Sequence, residues 1–470
     1  LVSIFFTIVE VAGVATAFAA VNDTRTSQGA VAWAVSLVAL PIVALPLYWV
    51  FGRGKFHGYV EALRAGQQEY EDMTGEAASL PRPDAASPRR DPHAPRHVFE
   101  ALAGMRFMDG NDLELLVDGR QTFDAICEHV AQAKSYVLVQ FFIVHDDRLG
   151  RRLQSALMAK ARNGVRVHFL YDEIGCHSTH EGYWSAMREA GVKVAPFQTT
   201  RGRGNRFQIN FRNHRKIVVV DGRTAFVGGH NVGDEYMGWD PEIGHWRDTH
   251  LRCAGPAVQG VQITFAKDWY WATQELLHLD WSPPASENGA DVLALGTGPA
   301  DKLESCSLMF VKAISSAKSR IWIASPYFVP DEAVTKALQT AALRGVDVRI
   351  MIPEKPDHKI VYLAGFYSLK ALDMPGVRVY RYSSGFLHQK VFLVDDFLSG
   401  VGTANLDNRS FRLNFEITML IEDKPFCRRV EGMLQEDFKL CRETGPDELD
   451  HKPFLFQRLV MFARLLAPIL

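Results

Sequence analysis

Two distant stretches of this chain carry the same residues at the same intervals. The first reads His214-Arg-Lys216-Ile-Val-Val-Val-Asp221, then Gly228-Gly229-His-Asn231. The second reads His388-Gln-Lys390-Val-Phe-Leu-Val-Asp395, then Gly402-Thr403-Ala-Asn405. The likeness extends upstream. Ala133-Lys134-Ser135 precedes the apolar run YVLVQFFIV, and Ala317-Lys318-Ser319 precedes RIWIASPYFV; helix-like stretches come next, ending in ARNGVRVHFLYD and ALRGVDVRIMIP, and then AGVKVAPF and PGVRVYRY. A strand–helix–strand order that occurs twice predicts an α/β chain of two similar halves, residues 99–280 and 281–450, with mixed or parallel sheets covered by helices. The halves are expected to form one catalytic unit.

The spacing carries a chemical reading. On each Val-rich strand, residues two apart project from one face, so His and Lys stand side by side. Asp221-Gly222 and Asp395-Asp396 have the look of hairpin turns. The returning strand ends in small residues that let backbone and an Asn side chain approach a ligand. Pairing the halves brings two His, two Lys and two Asn into one cleft. The imidazoles supply a nucleophile and a general acid, and the ammonium and amide groups neutralise a phosphoryl group. That chemistry needs neither a metal nor a cofactor. A lone His on an apolar strand is more often a buried structural residue, but no fold requires the same ionisable set twice. Asp221 and Asp395 complete the motif, with turn fixing as the competing role.

Charge and hydropathy narrow the setting. The 470 residues include 52 Lys+Arg against 54 Asp+Glu, and a net charge of −2 excludes a polyanion binder acting through bulk positive charge. Apolar residues concentrate at the N-terminus: residues 30–51 carry no charge and residues 1–21 only Glu10. At ~1.5 Å rise per residue either run crosses a hydrocarbon core of ~30 Å, so residues 1–55 are expected to form a two-helix transmembrane hairpin. A cleaved signal peptide is the alternative for the first run. Arg53, Lys55 and Arg64 crowd the exit of the second run, which places the remainder of the chain in the cytoplasm. Six scattered cysteines without a C-x-x-C pair suit that reducing setting. Residues 56–98 read as a juxtamembrane segment and linker, and 74–98, rich in Pro, Ala and Arg, suit a strap on an anionic membrane surface. Residues 451–470 contain FLFQRLVMFARLLAPIL, too short and charged to span. An interfacial helix with snorkelling arginines is expected there, against a terminal helix packed on the core. The basic run 201–216 reads as a clamp for lipid phosphates, although single-stranded nucleic acid would also suit it.

The paired motifs resemble those of the phospholipase D superfamily. With the apolar N-terminus, the strings SPYFVPDEAV, GVDVRIMIPEKPDH, NLDNRSFRLNFEIT and HWRDTH are similar to the bacterial cardiolipin synthase family within it, over essentially the whole chain. The resemblance implies a multi-pass phosphatidyltransferase of the bacterial inner membrane with its catalytic part facing the cytoplasm. It would join two phosphatidylglycerols and release glycerol through a phosphohistidine. His214 is then the nucleophile, His388 the acid/base, and Lys216, Lys390, Asn231 and Asn405 bind the phosphoryl oxygens. Family members also carry an acidic residue beyond the Asn that hydrogen-bonds the catalytic His. Glu416 holds that place in the second half, and Asp248, shorter and at a longer interval, in the first. Thr403 offers a hydroxyl where the first copy has Gly229, so backbone N–H groups are expected to substitute there. Expected partners are phosphatidylglycerol and anionic membrane lipids; the charge balance and the hairpin argue against nucleic acid. A lipid hydrolase, with water in place of the lipid acceptor, is the competing reading on the same residues. A homodimer is compatible with such an enzyme, and no sequence feature demands one.

Overall fold

The doubled sequence order becomes a doubled sheet. The computed structural model describes residues 2–24, 26–52, 56–65, 96–199, 210–287 and 289–470. Most of the expected strap at 74–98 and the basic residues of the run at 201–209 lie outside them. A 16-stranded sheet joins both halves. From its centre outward, the first half runs Met108–Val117, Thr249–Ala254, Thr224–Gly228, Ile217–Val220, Tyr136–Phe141, Arg166–Asp172 and Lys193–Phe197. The second half repeats that order as Ala290–Thr297, Asn414–Glu422, Leu398–Gly402, Val391–Val394, Arg320–Ala324, Asp347–Pro353 and Val377–Tyr382, with Cys441–Thr444 added at its edge. The halves meet where Met108–Val117 pairs antiparallel with Ala290–Thr297, Met108 opposite Val292.

Helices cover both faces of the sheet, which is why its strands are apolar runs rather than alternating ones. All six residues of Tyr136–Phe141 are buried. Val258–Thr273 and Lys424–Lys439 pack on one face through Val258, Val261, Phe265, Val430 and Leu434. On the other face lie Asp118–Gln132 and Arg148–Arg162 in the first half, and Ser305–Ser316 and Glu332–Leu343 in the second. All six cysteines are free thiols. Arg96, at the start of the helix Arg96–Ala103, reaches across to Asp291 and Glu422 of the second half.

The N-terminal segments fold back on each other, but only the first is a single long helix. Val2–Asp23 is long and apolar enough to cross a membrane. The second run divides into Ser27–Ala39, Pro41–Leu47 and a π-helical turn Tyr48–Gly52. The break corrects the expectation of one continuous second span. A residue before proline is disfavoured in the α region, and Leu40 takes φ −138°, ψ 57° ahead of Pro41. Small residues hold the two arms together: Gly13, Ala17 and Ala20 are buried, and a Cβ on Gly13 would lie 2.4 Å from the Leu37 carbonyl oxygen.

At the other end, Phe454–Arg464 forms a helix with one packed side and one exposed side. Val460 and Ala463 pack on the second half, against Phe366 and Ala364, while Phe454, Leu455, Phe462 and Leu465 stay exposed. Arg464 lies 4.0 Å over the Tyr367 ring, so that arginine covers protein rather than reaching outward.

Candidate active site

Each histidine is delivered by its own half and gripped by the other. The short strand Arg212–Asn213 runs parallel to Asn414–Phe415, and Phe386–Leu387 runs parallel to Trp246–Arg247. These pairings continue into the two histidines. The His214 N–H donates to the Phe415 carbonyl at 2.9 Å, and the His388 N–H to the Arg247 carbonyl at 2.8 Å. The next residue after each acceptor is an acid. His214 Nδ1 is 3.0 Å from both carboxylate oxygens of Glu416, and His388 Nδ1 is 2.7 Å from Asp248 Oδ2. Glu416 thus serves the first-half histidine and Asp248 the second-half one. With Nδ1–H donating to a carboxylate, Nε2 is left to meet a substrate.

The acids occupy matching places and are held differently. Gly228 pairs with His250 as Gly402 pairs with Thr418, which makes Asp248 the counterpart of Glu416. Glu416, fully buried, accepts from Thr403 Oγ1 at 2.5 Å, Ser410 Oγ at 2.8 Å and Asn414 Nδ2 at 3.2 Å. Asp248 accepts from the Thr249 N–H at 2.7 Å, and a Cβ at Gly229 would lie 2.1 Å from its Oδ1. The Thr403 hydroxyl therefore braces the acid that meets His214, a His-orienting place, and Gly229 leaves the space its half's acid occupies.

Two buried lysines complete the cleft. Lys216 Nζ donates to the His214 carbonyl at 2.6 Å. Lys390 Nζ donates to the His388 carbonyl and lies 2.9 Å from His388 Nδ1. Burial pushes His214 down to about 4, with Glu416 opposing and Lys216 and Lys390 adding to the fall. Burial, Lys390, Lys216 and His214 push His388 well below its ordinary value. Each lysine thus acts on the histidine of the opposite half as well as its own. Burial also lowers Lys216 strongly, and Lys390 to about 8 despite the nearby acids. Burial opposes ionisation of Glu416, but the charge and hydrogen bond of His214 outweigh it and hold that carboxyl below its usual range. Burial in the unliganded site therefore favours the neutral form of both imidazoles.

The remaining expected residues divide. Asn231 is occupied, its Oδ1 accepting from the Ile143 N–H at 3.1 Å and its Nδ2 donating to Tyr236 at 3.3 Å. Asn405 is buried, and its Oδ1 is unpartnered among the described residues. Asp221 and Asp395 stand at the strand ends, where their contacts favour the turn-fixing role over a catalytic one. Each comes at the end of a four-residue strand that begins just after its lysine, so about 15 Å of extended chain separates it from that lysine. Asp221 accepts from the N–H groups of Lys134, Ser135 and Tyr136 at 2.7–2.9 Å. Asp395 does the same for Lys318, Ser319 and Arg320 at 2.8–2.9 Å. Both have positive φ, 52° and 49°, as the turn requires. Among the described residues no group of three or more His, Cys, Asp and Glu is placed to hold a metal ion.

The cardiolipin synthase phospholipase D-like domain model matches residues 126–269 and 310–438, the two repeats that carry this cleft. The chain belongs to the cardiolipin synthase family. It is 49% identical over 466 residues to cardiolipin synthase A of Pseudomonas putida (strain W619), covering 98% of this chain and 97% of that protein. Identity to cardiolipin synthase A of Pseudomonas syringae pv. syringae (strain B728a) is 49% over 462 residues, covering 97% and 96%. Phosphatidylserine synthase of Haemophilus influenzae Rd KW20 shares the fold, with a TM-score of 0.64 and 15% identity over 80% of this chain and 100% of that one.

In this cardiolipin synthase family member, supports that sequence reading missed lie between and beside the motif residues. Arg215, between His214 and Lys216, grips Asp268 with two contacts of 2.7 Å and donates to the Glu416 carbonyl at 3.0 Å. Gln389, in the matching place, donates to Asp437 at 2.9 Å, and Asp437 also takes two bonds of 2.7 Å from Arg247. The available signal was the acid on each covering helix, Asp268 and Asp437, both outside the repeated motif.

Proposed function

We propose that this chain makes cardiolipin from two phosphatidylglycerols by ping-pong phosphatidyl transfer. The observation that carries the reading is the crossed pair of histidine–carboxylate contacts, with two lysines, in one buried cleft. His214 Nε2 attacks the phosphorus of the first phosphatidylglycerol, and the bond from phosphorus to the glycerol oxygen breaks. His388, protonated, gives its proton to that oxygen and glycerol leaves. His388 then takes the proton from the terminal hydroxyl of a second phosphatidylglycerol, whose oxygen attacks the phosphohistidine and breaks the P–N bond. Assignment of the nucleophile to His214 rests on family resemblance.

Electrostatics supports the order of events. Both imidazoles are neutral at rest, as a nucleophile must be. A bound phosphodiester brings negative charge that offsets Lys216 and Lys390, so His388 gains its proton together with the substrate. Lys216, Lys390 and Asn405 then stabilise the charge on the phosphoryl oxygens. The N-terminal hairpin spans the bacterial inner membrane twice, with the catalytic part on the cytoplasmic side; the flanking charges support that orientation. The exposed face of Phe454–Arg464 lies in the interface.

Incubating purified protein with labelled phosphatidylglycerol and weighing the products tests the reading. Cardiolipin with glycerol in equal amounts is expected. Phosphatidic acid with glycerol would replace transfer by hydrolysis.

A further inference from the structure

The segment just after the N-terminal hairpin is built into the catalytic core. Gly52 ends the hairpin and Phe56 is only four residues on, within ~14 Å of chain. Phe56 is completely buried, its ring 5.0 Å from Phe211, 5.2 Å from Trp271 and 5.6 Å from Phe415. The helix His57–Ala65 continues from it and places Tyr59 in the same cluster, 4.9 Å from the Phe415 ring. The Tyr59 hydroxyl donates to Asp268 Oδ1 at 2.9 Å.

Asp268 is the hub of the support under His214. It is wholly buried, bonded to Arg215 and accepting from Gln140 and Asn213, the last two at 2.8 Å. Two routes lead from it to the nucleophile. One passes through Asn213, the residue before His214. The other passes through Arg215 to the backbone carbonyl of Glu416, whose side chain holds His214 Nδ1. A buried ion pair keeps one geometry only while its hydrogen-bonding capacity is filled, and Tyr59 fills one place on the carboxylate. The matching hub in the second half, Asp437, is held by Arg247 and Gln389, both from the catalytic halves. The anchor segment reaches the His214 side.

We propose that Tyr59 is a positioning residue for His214, acting through Asp268, Asn213 and Arg215, so that turnover depends on the docked segment behind the membrane hairpin. The assay rests on the phosphatidyl-transfer reading. A merely structural Tyr59 would anchor its helix, and its loss would lower thermal stability or membrane attachment without changing the rate of folded enzyme. A misplaced nucleophile lowers kcat instead, since errors of about 1 Å lower rates by up to ~10²-fold.

The test uses the full chain in detergent–phosphatidylglycerol micelles, where bilayer attachment plays no part. Tyr59→Phe removes only the hydroxyl. We expect kcat about tenfold lower, KM within about twofold of wild type, and a slower first burst of glycerol. Glu61→Gln, on the exposed side of the same helix, should match wild type. Wild-type kcat in Tyr59→Phe, or a loss confined to KM or melting temperature, would overturn the proposal. If wild type itself releases no glycerol, the transfer reading fails. Tyr59→Phe is then compared with wild type on a phosphodiester with a nitrophenol leaving group, where equal rates overturn the positioning role and a tenfold loss supports it.

Discussion

The His214 and His388 sides of the cleft use one strand order and two different sets of supporting side chains. Glu416 is a long carboxylate under three side-chain donors, one of them Thr403. Asp248 is a short one packed against Gly229, held by the Thr249 N–H and, at 3.5 Å, by the Trp246 indole N–H. Where the longer acid has the Thr403 hydroxyl, the shorter acid has Gly229, with no side chain in that place. Because each acid serves the opposite histidine, the halves cannot work separately, and a change in one half is felt at the other half's imidazole. The asparagines differ in the same spirit: Asn231 is spent on the Ile143 backbone and Tyr236, whereas the buried Oδ1 of Asn405 is unpartnered among the described residues.

The sharpest way to break this comparison is to neutralise one acid at a time. Glu416→Gln and Asp248→Asn should each lower kcat on the order of 10²- to 10⁴-fold. Glu416→Gln should also stop adduct formation at His214. Asp248→Asn should leave it measurable with a good leaving group, which needs no proton. The reverse pattern would mean that each acid serves its own half. Next in size is Gly229→Thr, which copies the second half's residue into the first. Its Cβ would meet Asp248, so we expect at least tenfold lower kcat, not a gain; Thr403→Ser, which keeps the hydroxyl, should stay within a few-fold of wild type.

Lysine charge gives a pH test of the same site. Burial sets Lys390 at about 8, so its charge is present below that pH and lost above it. The kcat/KM of wild type should fall as pH rises through about 8. Lys390→Arg, lower in overall rate, should lose that limb, because arginine stays charged. A limb that stayed at the same pH in Lys390→Arg would assign it to another group.

Smaller effects separate the strand-end aspartates from catalysis. Asp221→Asn and Asp395→Asn should lower stability by about 2 kcal/mol in urea melts while the folded fraction keeps its kcat. Burial raises Asp395, but the N–H and hydroxyl donors outweigh it and hold its pKa below the ordinary value, so its stabilisation is lost only as pH falls through that lowered value.

Much of this was legible in the chain because repetition exposes it. The doubled order of strands predicted the doubled sheet, and H-x-K marked the two histidines and two lysines of the cleft. Ala-Lys-Ser was visible twice and unexplained; its backbone N–H groups are what Asp221 and Asp395 accept from. The crossing of the acids was not legible, because it depends on strand pairs such as Arg212–Asn213 with Asn414–Phe415, between residues far apart in the chain. Hydrophobicity likewise marked residues 30–51 as one run but could not show the break that Pro41 imposes at Leu40. Nor could it show that Phe56 turns inward to an aromatic cluster, since burial there is decided by partners from both halves.

The most direct measurement is the site of the covalent intermediate. His388→Ala and His214→Ala are each mixed with a phosphatidyl ester of nitrophenol, quenched without acid, digested and mapped by mass spectrometry. A phosphatidyl adduct is expected on His214 in the His388→Ala protein and none in the His214→Ala protein. An adduct on His388 in His214→Ala, with none on His214 in His388→Ala, would contradict the assignment of the nucleophile.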